Sequence, residues 1–165
     1  MRRGLILPVL IALAATCGTR PLAPIQPIAF NHQLHVGKSE IGCTTCHVGA
    51  ERSPAAGLPA LATCLGCHMK PQGSPPSLAE AYVRELAASD TPVRWVQVTR
   101  NPGHVHFSHA AHVTLAQMSC TQCHGDVTRW AAPPSQPEPR LVSMDACQSC
   151  HRKEGAPLGC ATCHR

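Results

Sequence analysis

Ten of the eleven cysteines in this chain fall into five C-x-x-C-H units: Cys43/Cys46/His47, Cys64/Cys67/His68, Cys120/Cys123/His124, Cys147/Cys150/His151 and Cys160/Cys163/His164. The pattern has a mechanical reason. Two thiols three positions apart can add to the two vinyl groups of one haem, and the next residue then places an imidazole nitrogen on the iron. Each unit therefore supplies two thioether residues and one proximal ligand, and five units imply five haem c groups. Zinc explains less, because ten cysteines do not divide into sets of four and tetrahedral thiolate sites give no reason for a His after every pair. Disulfides, structural or redox-active, leave the same His unexplained.

Composition points the same way. The 165 residues include 16 Pro and 12 Gly but only two Phe, one Tyr and two Trp. Burial of apolar surface is the main term that offsets chain entropy, and here it falls largely to Ala, Val, Leu and Cys. A loop-rich chain of this kind needs a large apolar cofactor inside. The formal charge is +5, yet two of the 14 basic residues, Arg2 and Arg3, belong to a targeting segment, leaving 12 against 9 acidic residues. Five haems would bring two propionates each and reverse the sign. With no Lys/Arg run interleaved with aromatics, a nucleic-acid partner is not expected.

Closed electron carriers need a sixth ligand on each iron, so the six histidines outside the motifs become the question. They form two clusters, His32 with His35, and His104, His106, His109 and His112. Residues three apart on a helical turn project from nearly one face, so His32/His35 and His109/His112 can each serve two neighbouring irons. The expected distal ligands are His32, His35, His104, His109 and His112. His106 is the rival of His104, and Met144 is a reserve whose ligation would raise the potential of that haem.

Met1 to Cys17 has a basic start, an apolar stretch from Leu5 to Ala15 and small residues after it, and reads as an export signal. The apolar run is short of the roughly 20 residues of a bilayer span. Cys17, outside the five motifs, follows Leu13-Ala14-Ala15-Thr16, which resembles a bacterial lipobox and implies a lipidated cysteine. The rival is cleavage after Ala12-Leu13-Ala14, which leaves Cys17 as a free thiol. The expected location is the periplasmic side of a bacterial membrane, reached by a lipid anchor.

Residues 18–29, with Pro21, Pro24 and Pro27, read as an extended tether. A two-haem module over 30–70 follows, then a linker over 71–103, then a three-haem module over 104–165. Within the linker, Ser77-Leu-Ala-Glu80 reads as a capping box opening a helix over 77–88, with Leu78, Tyr82 and Leu86 on its packing face. Val93 to Thr99 alternates weakly, and Trp95 is placed to cover a porphyrin edge. Just eight residues separate His151 from Cys160, which forces the last two haems together. The expected fold is mostly irregular with short α-helices and little or no sheet, its core formed by stacked haems.

The H-x-x-H pairs ahead of C-x-x-C-H resemble the class III multihaem cytochromes, cytochrome c3/c7-like. The likeness extends through Phe30 to Cys43-Thr-Thr-Cys-His47, Glu51-Arg-Ser-Pro54, Gly57-Leu-Pro59 and Cys64-Leu-Gly-Cys-His68. It continues in Trp95-Val-Gln-Val98, Pro102-Gly-His104-Val-His-Phe-Ser-His109, Cys120-Thr-Gln-Cys-His-Gly125 and the closing pair of motifs. Over about four-fifths of the chain it is similar to the pentahaem cytochrome subunit of alternative complex III. That resemblance implies electron transfer from a quinol-oxidising membrane complex, beside an iron-sulfur and molybdopterin-like subunit, toward a downstream cytochrome or oxidase. Members of that family commonly begin with a longer membrane anchor than the segment ending near Cys17. The alternative function is a multihaem reductase with one open iron, which needs acid/base groups beside an unligated position. Enough histidines are present to close every iron, so an electron carrier is expected.

Overall fold

A C-x-x-C-H unit closes on itself as one turn of helix, and this sets the scale of the structure. The His47 N–H donates to Cys43 O and the His164 N–H to Cys160 O, both at 2.9 Å. The computed structural model describes residues 24–75 and 77–164. Its helices are α1 (Cys43–Cys46), α2 (Leu61–His68), α3 (Leu78–Ala88), α4 (Cys120–His124), α5 (Pro139–Val142), α6 (Met144–Lys153) and α7 (Cys160–Cys163). Two π-turns, Gln33–Lys38 and Ala111–Leu115, and a 3₁₀ turn, Val127–Arg129, complete the set. The described residues form no strand, and Val105 and His164 make an isolated antiparallel bridge. The expected signal segment and Cys17 lie outside the described residues.

The side-chain core is very small. Among the described residues the buried hydrophobics are Ile28, Ala50, Val83 and Leu86. Ile28, Val83 and Leu86 form one cluster between α2 and α3, with Leu61, Leu65, Val93 and Trp95 packed on it. Burying so few side chains yields on the order of 10 kcal/mol, far less than the ordering of such a chain costs.

Three details differ from what periodicity suggests. The packing face of α3 is Glu80, Val83 and Leu86, while Leu78 is 90% exposed and Tyr82 37%; one full turn separates Leu78 from Tyr82, but both sit on the outer edge of the stripe. Trp95 joins the small core and its Nε1–H donates to Pro59 O at 2.8 Å. The end of the expected tether is packed, with Ile28 buried and Gln26 exchanging two hydrogen bonds with the Val96 backbone.

A duplication underlies the architecture. Phe30, His32, His35, Cys43, Cys46 and His47 recur at identical spacing as Phe107, His109, His112, Cys120, Cys123 and His124. The backbone repeats with them. Ser39 N–H donates to Leu34 O as Ala116 N–H does to Ala111 O, each at 3.0 Å, and Ile41 to His35 O as Met118 to His112 O, again at 3.0 Å. The intervening Glu40 and Gln117 both turn the chain with φ of 53°. The halves are cross-linked reciprocally: Gln33 N–H to Trp130 O at 2.9 Å, and its counterpart Ala110 N–H to Ser53 O at 3.1 Å. Such an exchange relates the two copies by an approximate two-fold axis.

That contact is close enough to require glycine on one side. A Cβ at Gly37 would lie 2.7 Å from Thr128 O, a backbone atom that cannot swing away. Gly37→Ala is expected to destabilise the haem-loaded protein by about 1–3 kcal/mol, read as a lower denaturant midpoint with the haem count unchanged.

Candidate haem sites

Four pairs of imidazoles face one another across gaps of one size. Ring centres lie 5.9 Å apart for His35 and His68, 6.4 Å for His109 and His124, 6.2 Å for His112 and His151, and 5.5 Å for His104 and His164. Each pair joins a motif histidine to one outside the motifs. Two metal–imidazole bonds of about 2 Å each, laid end to end, require ring centres roughly 6 Å apart. His32 lies within electrostatic reach of His47, the motif histidine left over. His106 donates its backbone N–H to Cys163 O at 2.7 Å, and Met144, at the start of α6, is 60% exposed.

The other ring nitrogen is fixed in most of these rings. Nδ1 bonds to a backbone carbonyl in His35 (Asn31, 2.9 Å), His47 (Gly57, 2.7 Å), His109 (Pro54, 3.0 Å), His112 (Ser108, 2.8 Å) and His151 (Pro157, 2.7 Å). A carbonyl oxygen only accepts, so Nδ1 carries the proton and Nε2 keeps its lone pair for a metal. This is the outer-shell pattern of metal-bound histidine. In His68 the acceptor is the Glu80 carboxylate, at 3.0 Å. His32 departs from its counterpart His109: its Nδ1 is buried with no hydrogen-bond partner. Sequence reasoning missed Glu80 as part of a site, because Ser77-x-x-Glu80 has a sufficient local explanation. Ser77 does accept from Glu80 N–H at 3.1 Å, but the carboxylate turns away to His68.

Phenylalanines brace the distal rings identically in both copies. Phe30 stacks on His35 at 4.4 Å and meets the edge of His32 at 4.8 Å; Phe107 stacks on His112 at 4.5 Å and meets the edge of His109 at 4.9 Å. The wide π-turns open just after the first histidine of each pair, so each pair spans a turn broader than an α-turn. Burial, then the neighbouring His47 and His35, hold His32 below its ordinary pKa, and burial, then His109 and His47, do the same for His124. Neutral imidazole is the form that binds metal.

The cysteine sulfurs mark which sites adjoin. Burial first, then the Cys46 thiol, push Cys64 up. Cys120 is raised by burial and then by Cys43, to which it is hydrogen-bonded, and Cys147 by burial and then by Cys163. All ten motif cysteines are free of disulfides.

Protein side chains cover the motif sulfurs unequally. Cys150 is exposed, and so are Cys67, Cys147 and Cys160, whereas the other six motif cysteines are half-buried. No residue of α6, which carries Cys147 and Cys150, is buried. Its backbone is satisfied locally, Glu154 N–H donating to Cys150 O at 2.9 Å, but protein side chains do not cover the sulfur.

Among the described residues no three His, Cys, Asp or Glu side chains converge to hold a bare metal ion. Opposed imidazole pairs, cysteines on adjacent turns and a side-chain core of very few residues fit a haem at each motif.

This geometry defines a multihaem c-type cytochrome. Residues 105–165 match the family described as cytochrome c7 and related cytochrome c. The chain is also 33% identical over 162 residues to the menaquinone reductase multihaem cytochrome c subunit of Nitratidesulfovibrio vulgaris, covering 85% of this chain and 77% of that one. It belongs to the multihaem cytochrome c family, with a cytochrome c3/c7-like fold, and is an electron carrier rather than a catalytic enzyme.

The pairing separates the two rivals for the fifth distal position. His104→Ala is expected to convert one low-spin ferric haem to high-spin, visible by electron paramagnetic resonance and as carbon monoxide binding on reduction. His106→Ala should leave every haem low-spin.

Proposed function

We propose that this chain is a pentahaem electron relay of an exported, quinone-linked membrane complex. The observation that carries the reading is the set of opposed imidazoles, each joining a motif histidine to a distal one. Thioether bonds from Cys43 and Cys46, Cys64 and Cys67, Cys120 and Cys123, Cys147 and Cys150, and Cys160 and Cys163 hold the five cofactors. Axial ligation comes from His47 with His32, His68 with His35, His124 with His109, His151 with His112 and His164 with His104. Haem bound in this way supplies a reversible one-electron iron couple, at a lower potential than His/Met ligation gives. With both axial positions taken by histidine, no iron is left open for substrate, which disfavours the reductase alternative.

The residues imply an order for the row. The second site adjoins the first through Cys64 and Cys46 and through Phe30, which touches both distal rings. The first adjoins the third through Cys43 and Cys120, and through His47 beside His124. Phe107 links the third to the fourth, and Cys147 beside Cys163 links the fourth to the fifth. The two-haem segment 30–70 and the three-haem segment 104–165 thus form one continuous row, whose ends are the second and fifth sites.

The Nitratidesulfovibrio vulgaris relative is by name a menaquinone reductase subunit, which supports a membrane redox complex as partner; an iron-sulfur or molybdopterin-like subunit within it rests on the resemblance to alternative complex III. Its name makes a quinone the acceptor, whereas the likeness to alternative complex III makes a quinol the donor; a row of similar centres serves either direction. The apolar segment before Cys17 supports export to the periplasm with a lipid on that cysteine. No helix among the described residues is long and apolar enough to cross a membrane, and the lipid would supply the anchor.

Intact mass after membrane extraction tests the count and the anchor together. The expected mature chain starts at Cys17, carries lipid there and holds five haems, and its ferrous form does not bind carbon monoxide at neutral pH. Fewer than five haems, or a high-spin centre in the pure protein, would overturn the reading.

A further inference from the structure

The rings at the five sites are not equivalently supported, and the exception is His68. Its Nδ1 meets Glu80 Oε1 at 3.0 Å, whereas five of the other proposed ligands meet neutral backbone carbonyls. Glu80 is 8% exposed, a buried acid in a molecule with little buried surface of any kind. The same oxygen accepts from Gln72 N–H at 2.5 Å and lies 3.5 Å from Arg84 Nη1, one helical turn along α3.

A capping role does not require this arrangement. The N-terminus of α3 is capped by Ser77 through Glu80 N–H, and a capping box would have the carboxylate reach back to Ser77 N–H. It points across to α2 instead. A carboxylate accepting the Nδ1 proton draws that proton toward itself and raises the electron density at Nε2. A more basic axial nitrogen stabilises ferric over ferrous iron, because the ferric state carries one more positive charge.

We propose that Glu80 is a positioning residue that acts through His68 to lower the reduction potential of the second haem relative to the same site with a neutral acceptor. The proposal rests on the ligation read above for Cys64, Cys67 and His68. Its consequence is a row whose second-site end is set apart electronically from the rest by a fixed charge on α3.

The test is redox titration of the purified haem-loaded protein, followed optically and by electron paramagnetic resonance, for the wild type and for Glu80→Gln, Glu80→Asp and Arg84→Met. Gln keeps a hydrogen-bond acceptor and the helix but removes the charge. One of the five reduction steps should move to higher potential in Glu80→Gln, with the g-anisotropy of one ferric low-spin signal altered and the other four steps in place. Glu80→Asp should fall between Glu80→Gln and the wild type. Arg84→Met, which removes the compensating cation and leaves the carboxylate, should move the same step down or leave it. Five unchanged steps in Glu80→Gln would overturn the proposal, and so would an upward shift in both Glu80→Gln and Arg84→Met, which marks a loosened site. A wild-type peptide containing Cys64 and Cys67 without haem mass would remove the ligation reading and this proposal together.

Discussion

An axial imidazole pair makes a severe geometric demand: two nitrogen lone pairs, from residues far apart in the chain, must point at one another across the width of an iron. Most of this structure can be understood as the means of meeting that demand with little side-chain core. Covalent attachment fixes one partner, since Cys-x-x-Cys and the following His occupy a single turn. The other partner needs orientation from its surroundings. Carbonyls of Asn31, Pro54 and Ser108 take the Nδ1 protons of His35, His109 and His112, and Phe30 and Phe107 brace the rings from the side. Backbone carbonyls and one aromatic per half do what a hydrophobic core does elsewhere.

Much of this could be read from residue spacing because covalent haem attachment is a local event. Cys43 to His47 specifies its own turn, and so does each of the other four units. The H-x-x-H clusters were legible as distal candidates for the same reason, being short and separate from everything else. What spacing could not give was partnership. Nothing in the order of residues says that His35 faces His68 while His32 lies by His47, since that depends on how a wide turn is oriented over two helices. Spacing was equally silent on enclosure, and identical motifs leave Cys46 half-buried but Cys150 exposed. Glu80 was hidden differently. Its position three residues after Ser77 satisfied a helix-capping rule, so no unexplained charge remained to draw attention. The packing face of α3 was misjudged for a related reason, because the hydropathy of Leu78 and Tyr82 outweighed an acid that turned out to be the buried group.

The duplication explains why a chain of such irregular secondary structure is nonetheless ordered. Each half lends backbone acceptors to the other: Ser53 O and Pro54 O receive Ala110 and His109, and Trp130 O receives Gln33. The distal histidine of one half is thereby oriented by the loop after the first motif of the other. The exchange is incomplete on one side, where His32 Nδ1 lacks the acceptor that Pro54 provides to His109. After the second motif of each half the copies diverge entirely. One continues into α3 and the small apolar cluster, the other into α7 and the fifth motif.

The bridge between Val105 and His164 joins chain positions from opposite ends of the second half. Every other proposed ligand pair spans a shorter stretch, so the cost in chain entropy of closing the loop is greatest here. In a chain that emerges from its N-terminus, the first motif and its partners appear early and can be completed at once. His104, by contrast, must wait until the chain as far as His164 has emerged. The fifth site then reports on the completeness of everything between, and a molecule truncated or stalled within α6 would carry an iron-binding histidine with no counterpart.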